Sequence, residues 1–520
     1  MKIGIDNLPD DILKLKEIIQ QQNNENKLLN EQIRLLNTRL FAKKSEKLNP
    51  YDDFQARLFN ETESIISEGP ELEFVVEGNE INVPAHKRNK PGRKPIPDHF
   101  PRKENIIDIS PAEKICSCGA EKSRIGEETS EKLDIIPQKV IVIRTIRPKY
   151  ACRKCKGQDD EGTVVAIAPL PESITGKSIL SPDFLASLII SKFFDGLPYY
   201  RQSGILGRSG IEISRMSMAS TTSKVFKKLL PLQEAFERLI KQSYLVGIDE
   251  TRVQVLKELG RKATSLSYMW VFRGLLEGKN PLIYFRYEQT RSPSFLYDFM
   301  SGYQGIVQTD GYAGYNIFDN WPGVTHVGCM AHARRMFTDA EKANGGKDKN
   351  ILQVLNIIRK LYRYESDARD QGFPLKTIND MRQSNSKPVL DNLHSLLTSL
   401  SIETNPGGYV GKAVNYTLGQ WEKLSKYIDD GRIPIDNNMV ENAIRPFVIG
   451  RKNWLFSDSP DGAHASAFFY SLLITAQAQK INVNEYMKSL FREALFAKSD
   501  EDWEKLLPIK ENWPNLVTGG

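Results

Sequence analysis

The sequence is poor in cysteine, has no long apolar run and favours neither sign of charge strongly. Five cysteines in 520 residues exclude a secreted scaffold built on disulfides. Met1–Pro9 has no apolar signal-peptide core. The best apolar stretch, Ala467–Ala476, is far shorter than the roughly 20 residues a membrane span needs. Lys and Arg exceed Asp and Glu by 71 − 65 = 6, a mild excess that by itself says little about an acidic partner. A soluble cytoplasmic protein is therefore expected, with cysteines as thiols or metal ligands. What is present fits that class: 26% charged and 40% hydrophobic residues are ordinary for globular chains. The length suggests about three to four domains.

Residues 10–48 lack Gly and Pro. Ile12, Leu15, Ile19, Gln22, Asn26, Leu29, Ile33, Leu36 and Leu40 step alternately by three and four, the a/d period of a coiled coil. Ile mostly at a and Leu mostly at d favour a parallel dimer, and Asn26 at an a position fixes register. A lone amphipathic helix is the alternative, but Gln22 and Asn26 would be poor core residues.

Residues 49–103 read as a linker and arm of opposite charge. Seven glutamates and no basic residue fall in 61–80. Between His86 and Lys103, seven Lys and Arg, Arg93 and Lys94 among them, meet the single acid Asp98. Four prolines keep this arm extended, able to lie along phosphates or enter a minor groove. In 104–168, Cys116-x-Cys118 and Cys152-x-x-Cys155 suit a tetrahedral Zn²⁺, although the first spacer is one residue rather than two. Lys139–Arg147 between them alternates as a strand. Residues 175–235 read as helices: Pro182–Asp195, a short Tyr199–Leu206, a turn over Gly207–Gly210, and a basic Ile213–Leu230 carrying Arg215 and Lys224. That order fits a helix-turn-helix, with a plain helical hairpin as the alternative.

From 240 to 343 the period changes to two. Tyr244–Asp249, Leu266–Arg273 and Leu282–Tyr287 form an expected three-strand meander. The helix Ser294–Met300, the strand Gly305–Asp310, a short helix within Tyr312–Asn320, the strand Val324–Val327 and the helix Met330–Ala343 follow. This order approaches a ribonuclease H-like α/β core. Asp249 and Asp310, each ending a strand, are placed to project side by side from the sheet's carboxyl edge. Adjacent carboxylates repel unless a cation joins them, and hard oxygen donors favour Mg²⁺ or Mn²⁺. Asp310-Gly311 is also an ordinary turn signal.

Residues 344–430 read as a helical insertion, 431–478 as the second part of the core, and 479–520 as a C-terminal segment. In 431–478, Pro434 precedes a short expected helix that carries Glu441 and that Pro446 ends or kinks. Asn438-x-x-Glu441 has the form of a capping box, and Arg445 shares a face with Glu441. Gly450–Phe456 brings cations and aromatics together. Cys329-x-x-His332 could be half a metal site but, with no second pair near it in sequence, reads as structural at a strand-helix junction, and His464 as a surface or packed helix residue.

Several segments together resemble the insertion-sequence-66 family of bacterial transposases, of the DDE type. They are Asp249-Glu-Thr251, Thr309-Asp-Gly-Tyr-Ala-Gly-Tyr315, Cys329-Met-Ala-His-Ala-Arg-Arg335, Ile435-Asp-Asn-Asn438, Glu441-Asn-Ala-Ile-Arg-Pro446 and Gly450-Arg-Lys-Asn-Trp-Leu-Phe456. Phe41–Leu48, the basic arm and the cysteine pairs resemble it in the same order. The resemblance implies a catalytic triad of Asp249, Asp310 and Glu441 that binds Mg²⁺ or Mn²⁺, with Glu250 and Asp436 as neighbouring decoys. The implied reaction is two-metal phosphoryl transfer: water exposes a 3′-OH at the element's end, and that 3′-OH attacks target DNA. Arg334, Arg335, Arg445, Arg451 and Lys452 become candidate phosphate contacts. Implied partners are terminal repeats and target DNA, a second copy through the coiled coil, and accessory proteins of the same element, with the bacterial nucleoid as location. A nuclease with the same core and a non-catalytic DNA-binding regulator are the rival readings.

Overall fold

The computed structural model describes residues 11–41, 140–151, 165–346 and 348–518, with isolated positions between 102 and 163. Ile12–Phe41 and Pro171–Gly520 belong to one compact unit, and the described residues between 102 and Leu170 to a second.

In the second unit the order is two short antiparallel pairs. β1 (Lys149–Ala151) pairs with β4 (Val165–Ile167), and β2 (Gln158–Asp159) with β3 (Gly162–Thr163). The strand expected over Lys139–Arg147 is not formed in its described part. Ile141, Val142, Ile143 and Ile146 are all strongly exposed, so the alternating pattern buries neither face there and finds no partner strand among the described residues.

Helix α1 (Ile12–Phe41) is continuous. It carries two stripes. Glu31 and Leu35 are buried against the chain's own helical region, where the Glu31 carboxylate accepts from the Tyr409 amide at 3.5 Å. The a/d residues Ile12, Ile19, Leu29, Ile33 and Leu36 are each more than half exposed.

Four helices follow: α2 (Pro182–Phe193), α3 (Tyr199–Arg208), α4 (Arg215–Lys228) and α5 (Leu230–Lys241). Ser181 caps α2 ahead of Pro182, and Ser214 caps α4 by accepting from the Ser217 amide at 3.1 Å. The turn between α3 and α4 begins later than expected, because α3 continues through Gly207 to Arg208.

The central sheet has the strand order β7-β6-β5-β8-β9. β5 (Leu245–Gln254), β6 (Leu266–Leu275) and β7 (Leu282–Glu288) are antiparallel; β8 (Gly305–Gln308) and β9 (Val324–Val327) run parallel to β5. Helix α6 (Ser294–Phe299) and a 3₁₀ turn (Ala313–Phe318) provide the crossovers. Trp270, Phe272, Tyr284 and Phe285 fill the core between sheet and helices.

Helix α7 (Met330–Asn344) follows and stops at Gly345, whose φ of 71° closes the helix in a left-handed cap. The helical segment contains α8 (Lys349–Asp370), α9 (Leu375–Met381), α10 (Lys387–Glu403), α11 (Tyr409–Gly419) and α12 (Trp421–Ser425), packed on α7 around a second apolar cluster. Then come α13 (Asn438–Trp454), α14 (Pro460–Ala478), α15 (Val483–Glu493) and α16 (Asp500–Lys505).

The apolar run Ala467–Ala476 lies within α14, which covers the edge strand β7. Ser471 Oγ and Thr475 Oγ1 accept from the Phe285 and Ile283 amides at 2.8 and 2.9 Å. These hydroxyls occupy backbone groups that would otherwise offer an open sheet edge. No described helix is long and apolar enough to cross a membrane.

Two sequence expectations are corrected near the sheet's edge. Asp249 does not end its strand: β5 continues to Gln254 because Glu250–Gln254 pair with Trp270–Leu266 of β6. The helix with Glu441 is not short either. Pro446 sits inside the 17-residue α13, which continues to Trp454.

Candidate catalytic site

The register of the parallel pair brings two acids together. Gly247 of β5 lies beside Gln308 of β8. Two residues further along each chain stand Asp249 and Asp310, just past the last paired residue of β8. Asp310 then turns the chain, its Oδ1 accepting from the Tyr312 amide at 2.9 Å. The third acid comes from α13. Asn437, next to its start, donates its side-chain amide to the Ile248 carbonyl at 3.0 Å, and its backbone N–H to Cys329 Sγ at 3.2 Å. These bonds fix the helix start to β5 on one side and to the start of α7 on the other. Gly247 permits the approach: a Cβ there would lie 2.5 Å from Val440 Cγ2 and 2.7 Å from Asn437 Oδ1. One turn into α13, Glu441 is buried, and Arg335 of α7 donates to its two oxygens at 3.3 and 3.2 Å. His332 Nε2 lies 3.8 Å from the same carboxylate.

The electrostatics register this crowding. Burial first, then the charges of Glu250, Glu441 and Asp310, holds the Asp249 carboxyl well above the usual range. His332 is pushed down by burial and by Arg335, so it is biased toward the neutral imidazole. Asp310 and Glu441 lie near enough to act on the Asp249 charge, and hard oxygen donors of this kind suit a divalent cation that would relieve their repulsion. As the side chains stand, the described residues contain no group of three or more His, Cys, Asp or Glu close enough to hold a metal.

Both decoys have other partners. Glu250 is held by Arg291 Nε at 2.6 Å and by the Tyr315 hydroxyl. Arg291 in turn lies over the Tyr312 ring, 3.8 Å from its centroid. Asp436 accepts from the Asn438 amide at 3.1 Å, ahead of α13. The Asn438–Glu441 capping box is not formed, since Asn437 is the cap residue and Glu441 faces Arg335.

The candidate cations differ in setting. Arg445, four residues after Glu441, is half-buried, with Nε and one Nη buried and without a hydrogen-bond partner among the described residues. Arg334 lies 5.7 Å from the Tyr362 ring centroid. Arg451 donates to Thr251 Oγ1 at 3.1 Å and to the Arg252 carbonyl, tying the end of α13 to β5. Lys452, Arg215 and Lys224 are exposed. Arg93, Lys94, Cys116, Cys118, Cys152 and Cys155 lie outside the described residues. His464 packs edge-on against Tyr287.

Sequence reasoning missed Asn437 and His332 as neighbours of the acids. Their spacing from Glu441 and Arg335 was visible, but the separation of 106 positions between Arg335 and Glu441 hid which helix faces meet.

Comparison with known proteins defines the class. Residues 177–465 match the profile described as Transposase IS66 family. Residues 113–156 match the zinc-finger binding domain of transposase IS66, and 28–104 the profile called Transposase C of IS166 homeodomain. The chain is similar to two Sinorhizobium fredii proteins, uncharacterized protein y4jD and uncharacterized protein y4qI. The first is 30% identical over 430 residues, covering 80% of this chain and 81% of the relative. The second is 29% identical over 511 residues, 96% of this chain and 91% of the relative. The modules are those of a transposase with DNA-binding and zinc-finger parts. The chain belongs to the IS66 transposase family.

Proposed function

We propose that this transposase catalyses metal-dependent DNA cleavage and strand transfer, with Asp249, Asp310 and Glu441 as its acids on a ribonuclease H-like core. The observation that carries the reading is the β5–β8 register, which sets Asp249 beside Asp310, together with Asn437, which ties the Glu441 helix to Ile248. The order of three antiparallel strands followed by two parallel ones supports the core assignment. Mg²⁺ or Mn²⁺ held by the three acids would neutralise charge on the phosphate and activate the attacking oxygen.

The chain's own residues have separable tasks. Arg335 holds the Glu441 carboxylate in place. Arg445 offers two nitrogens, unpartnered among the described residues, to a non-bridging phosphate oxygen next to the acids. Arg291 and Tyr315 keep Glu250 out of the donor set. Arg334 and Lys452 extend the cationic surface for DNA, joined by the arm at Arg93 and Lys94. The α3–turn–α4 unit acts as a helix-turn-helix that reads the element's terminal repeats, with Arg215 and Lys224 toward DNA. Cys116, Cys118, Cys152 and Cys155 hold Zn²⁺ in the zinc-finger module. The exposed a/d stripe of α1 pairs two protomers, as bringing two element ends together requires.

A joining assay tests the reading. Purified protein is mixed with an oligonucleotide copy of the element's end and a supercoiled plasmid, with Mg²⁺ or EDTA, wild type against Glu441→Gln. Mg²⁺-dependent joined product, lost in the variant, supports it. Nicking without joining indicates a nuclease. DNA binding with neither product, persisting when the element's accessory proteins are added, indicates a regulator.

A further inference from the structure

Helix α3 presents an outward face that the fold does not use. Tyr200, Arg201, Gly204, Ile205, Gly207 and Arg208 are all exposed on it. Together with Arg215 at the start of α4 it borders an open cleft of roughly 800 Å³. Between Tyr199 and Lys228 there are six Lys and Arg and one acid, Glu212. Two of the six serve the protein itself: Lys227 pairs with Asp461 at 2.6 Å, and Lys228 donates to the Ile174 carbonyl at 2.8 Å. Arg201, Arg208, Arg215 and Lys224 have no acidic partner among the described residues.

The glycines are the second observation. A glycine inside a helix destabilises it relative to alanine, so its presence calls for a reason. At two other helical glycines the fold explains their presence: a Cβ on Gly411 would strike the Asn405 carbonyl, and one on Gly450 the Tyr470 hydroxyl, whereas Gly419 at the end of α11 is open. At Gly204 and Gly207 a Cβ would meet nothing within 4 Å. Internal packing therefore does not require either glycine. Their positions between Arg201 and Arg208 leave a bare strip of helix flanked by guanidinium groups. A bare strip lets another backbone come close, and guanidinium groups on either side recognise phosphate.

We propose that this face is a cradle for the sugar-phosphate backbone of duplex DNA. Arg201, Arg208 and Arg215 hold phosphates, and Gly204 and Gly207 let the strand lie against α3. The inference deepens the DNA-binding reading above and rests on it. It assigns α3 the phosphate-anchoring role and leaves base contacts to α4. An acidic protein surface would satisfy the arginines too. It would bring side chains of its own, however, and would not need the bare strip.

The test uses the full-length protein and a fluorescent duplex carrying the element's end, with anisotropy titrations across a salt series. Arg201→Ala and Arg208→Ala are expected to reduce the slope of log K against log salt by about 0.9 each. Gly204→Leu is expected to weaken binding about tenfold or more. Gly204→Ala, which favours the helix, should leave the melting temperature unchanged or higher, so that any weaker binding in the glycine variants is not unfolding. Wild-type affinity and slope in all these variants overturn the cradle while leaving the DNA reading intact. Failure of the wild type itself to bind any duplex removes both. If Arg201→Ala loses binding to polyglutamate but not to DNA, the face belongs to an acidic protein and the proposal is wrong.

Discussion

Arg335 on α7 donates to both oxygens of Glu441 on α13, joining two residues 106 positions apart in sequence. Removing one partner of a largely buried pair leaves the other charge unpaired, a cost of about 3–5 kcal/mol when burial is complete. The Arg335 side chain is 20% exposed, which reduces that figure. Arg335→Ala should therefore lower stability by about 2–3 kcal/mol. Glu441→Gln, which keeps an acceptor for Arg335, should cost less and still abolish joining. Urea titration of both variants beside the joining assay separates the two effects; equal destabilisation would contradict this account.

The Asp249 carboxyl gives a pH prediction with a definite sign. Its pKa is raised in the folded protein, by burial first and by Glu250, Glu441 and Asp310 next. The folded state then binds the proton more tightly than the unfolded one, so stability falls as pH rises from the unfolded carboxylate pKa toward the folded one. Asp249→Asn should flatten that fall. Mg²⁺ at ten times its dissociation constant should add about 1.4 kcal/mol to the wild type and little to the variant. Thermal melts over pH and Mg²⁺ concentration check both statements.

His326 has the opposite dependence. Its ring is buried between Thr309 Oγ1 at 2.9 Å and Asp319 Oδ1 at 2.6 Å, and burial lowers its pKa from 6.5 to about 4. Between those values the unfolded state binds more protons, so stability is intact above the unfolded pKa and declines as pH falls through the window. The loss should approach the order of 3 kcal/mol. Because Thr309 precedes Asp310, joining should fade in the same window. His326→Gln should remove most of the slope in acid melts.

Gly247 is a third point of leverage. A Cβ there would strike Val440 and Asn437, so Gly247→Ala must move α13 away from β5. Overpacking of this kind costs about 1–3 kcal/mol. Joining should drop more than stability explains, because Glu441 moves with the helix. A variant that loses only stability would argue against a shared metal site.

The α1 stripe predicts an assembly change. Leu29→Glu with Ile33→Glu should convert dimers to monomers in light scattering, because both residues are exposed in the single chain. A substitution at Leu35, which is buried against the chain itself, should act on stability instead.

Much of this was legible in local pattern. Val324–Val327 has the bounds its alternation indicates, and Ser294–Phe299 and Met330–Asn344 differ from their expected ends by one residue. The succession of strands along the chain followed from the same periods, but their order in the sheet did not. What local pattern missed depended on distant partners. β5 runs past Asp249 because β6 pairs with it, and Pro446 fails to stop α13. Capping chemistry at Asn438 read plausibly, but Glu441 is instead engaged by an arginine from another helix. The stripe on α1 was read as one seam, whereas Glu31 and Leu35 form a second beside it.

Gln308 marks when the site is complete. Its buried side-chain amide donates to the Pro434 carbonyl at 2.8 Å, across 126 residues, as the chain returns from the helical segment. During synthesis, Asp249 and Asp310 emerge long before Pro434 and Glu441. A ribosome-bound or prematurely terminated chain thus carries two acids without the third, and lacks the clasp that seats it. In the proposed mechanism cutting waits for Glu441, which would make late synthesis of α13 itself a safeguard for the host chromosome.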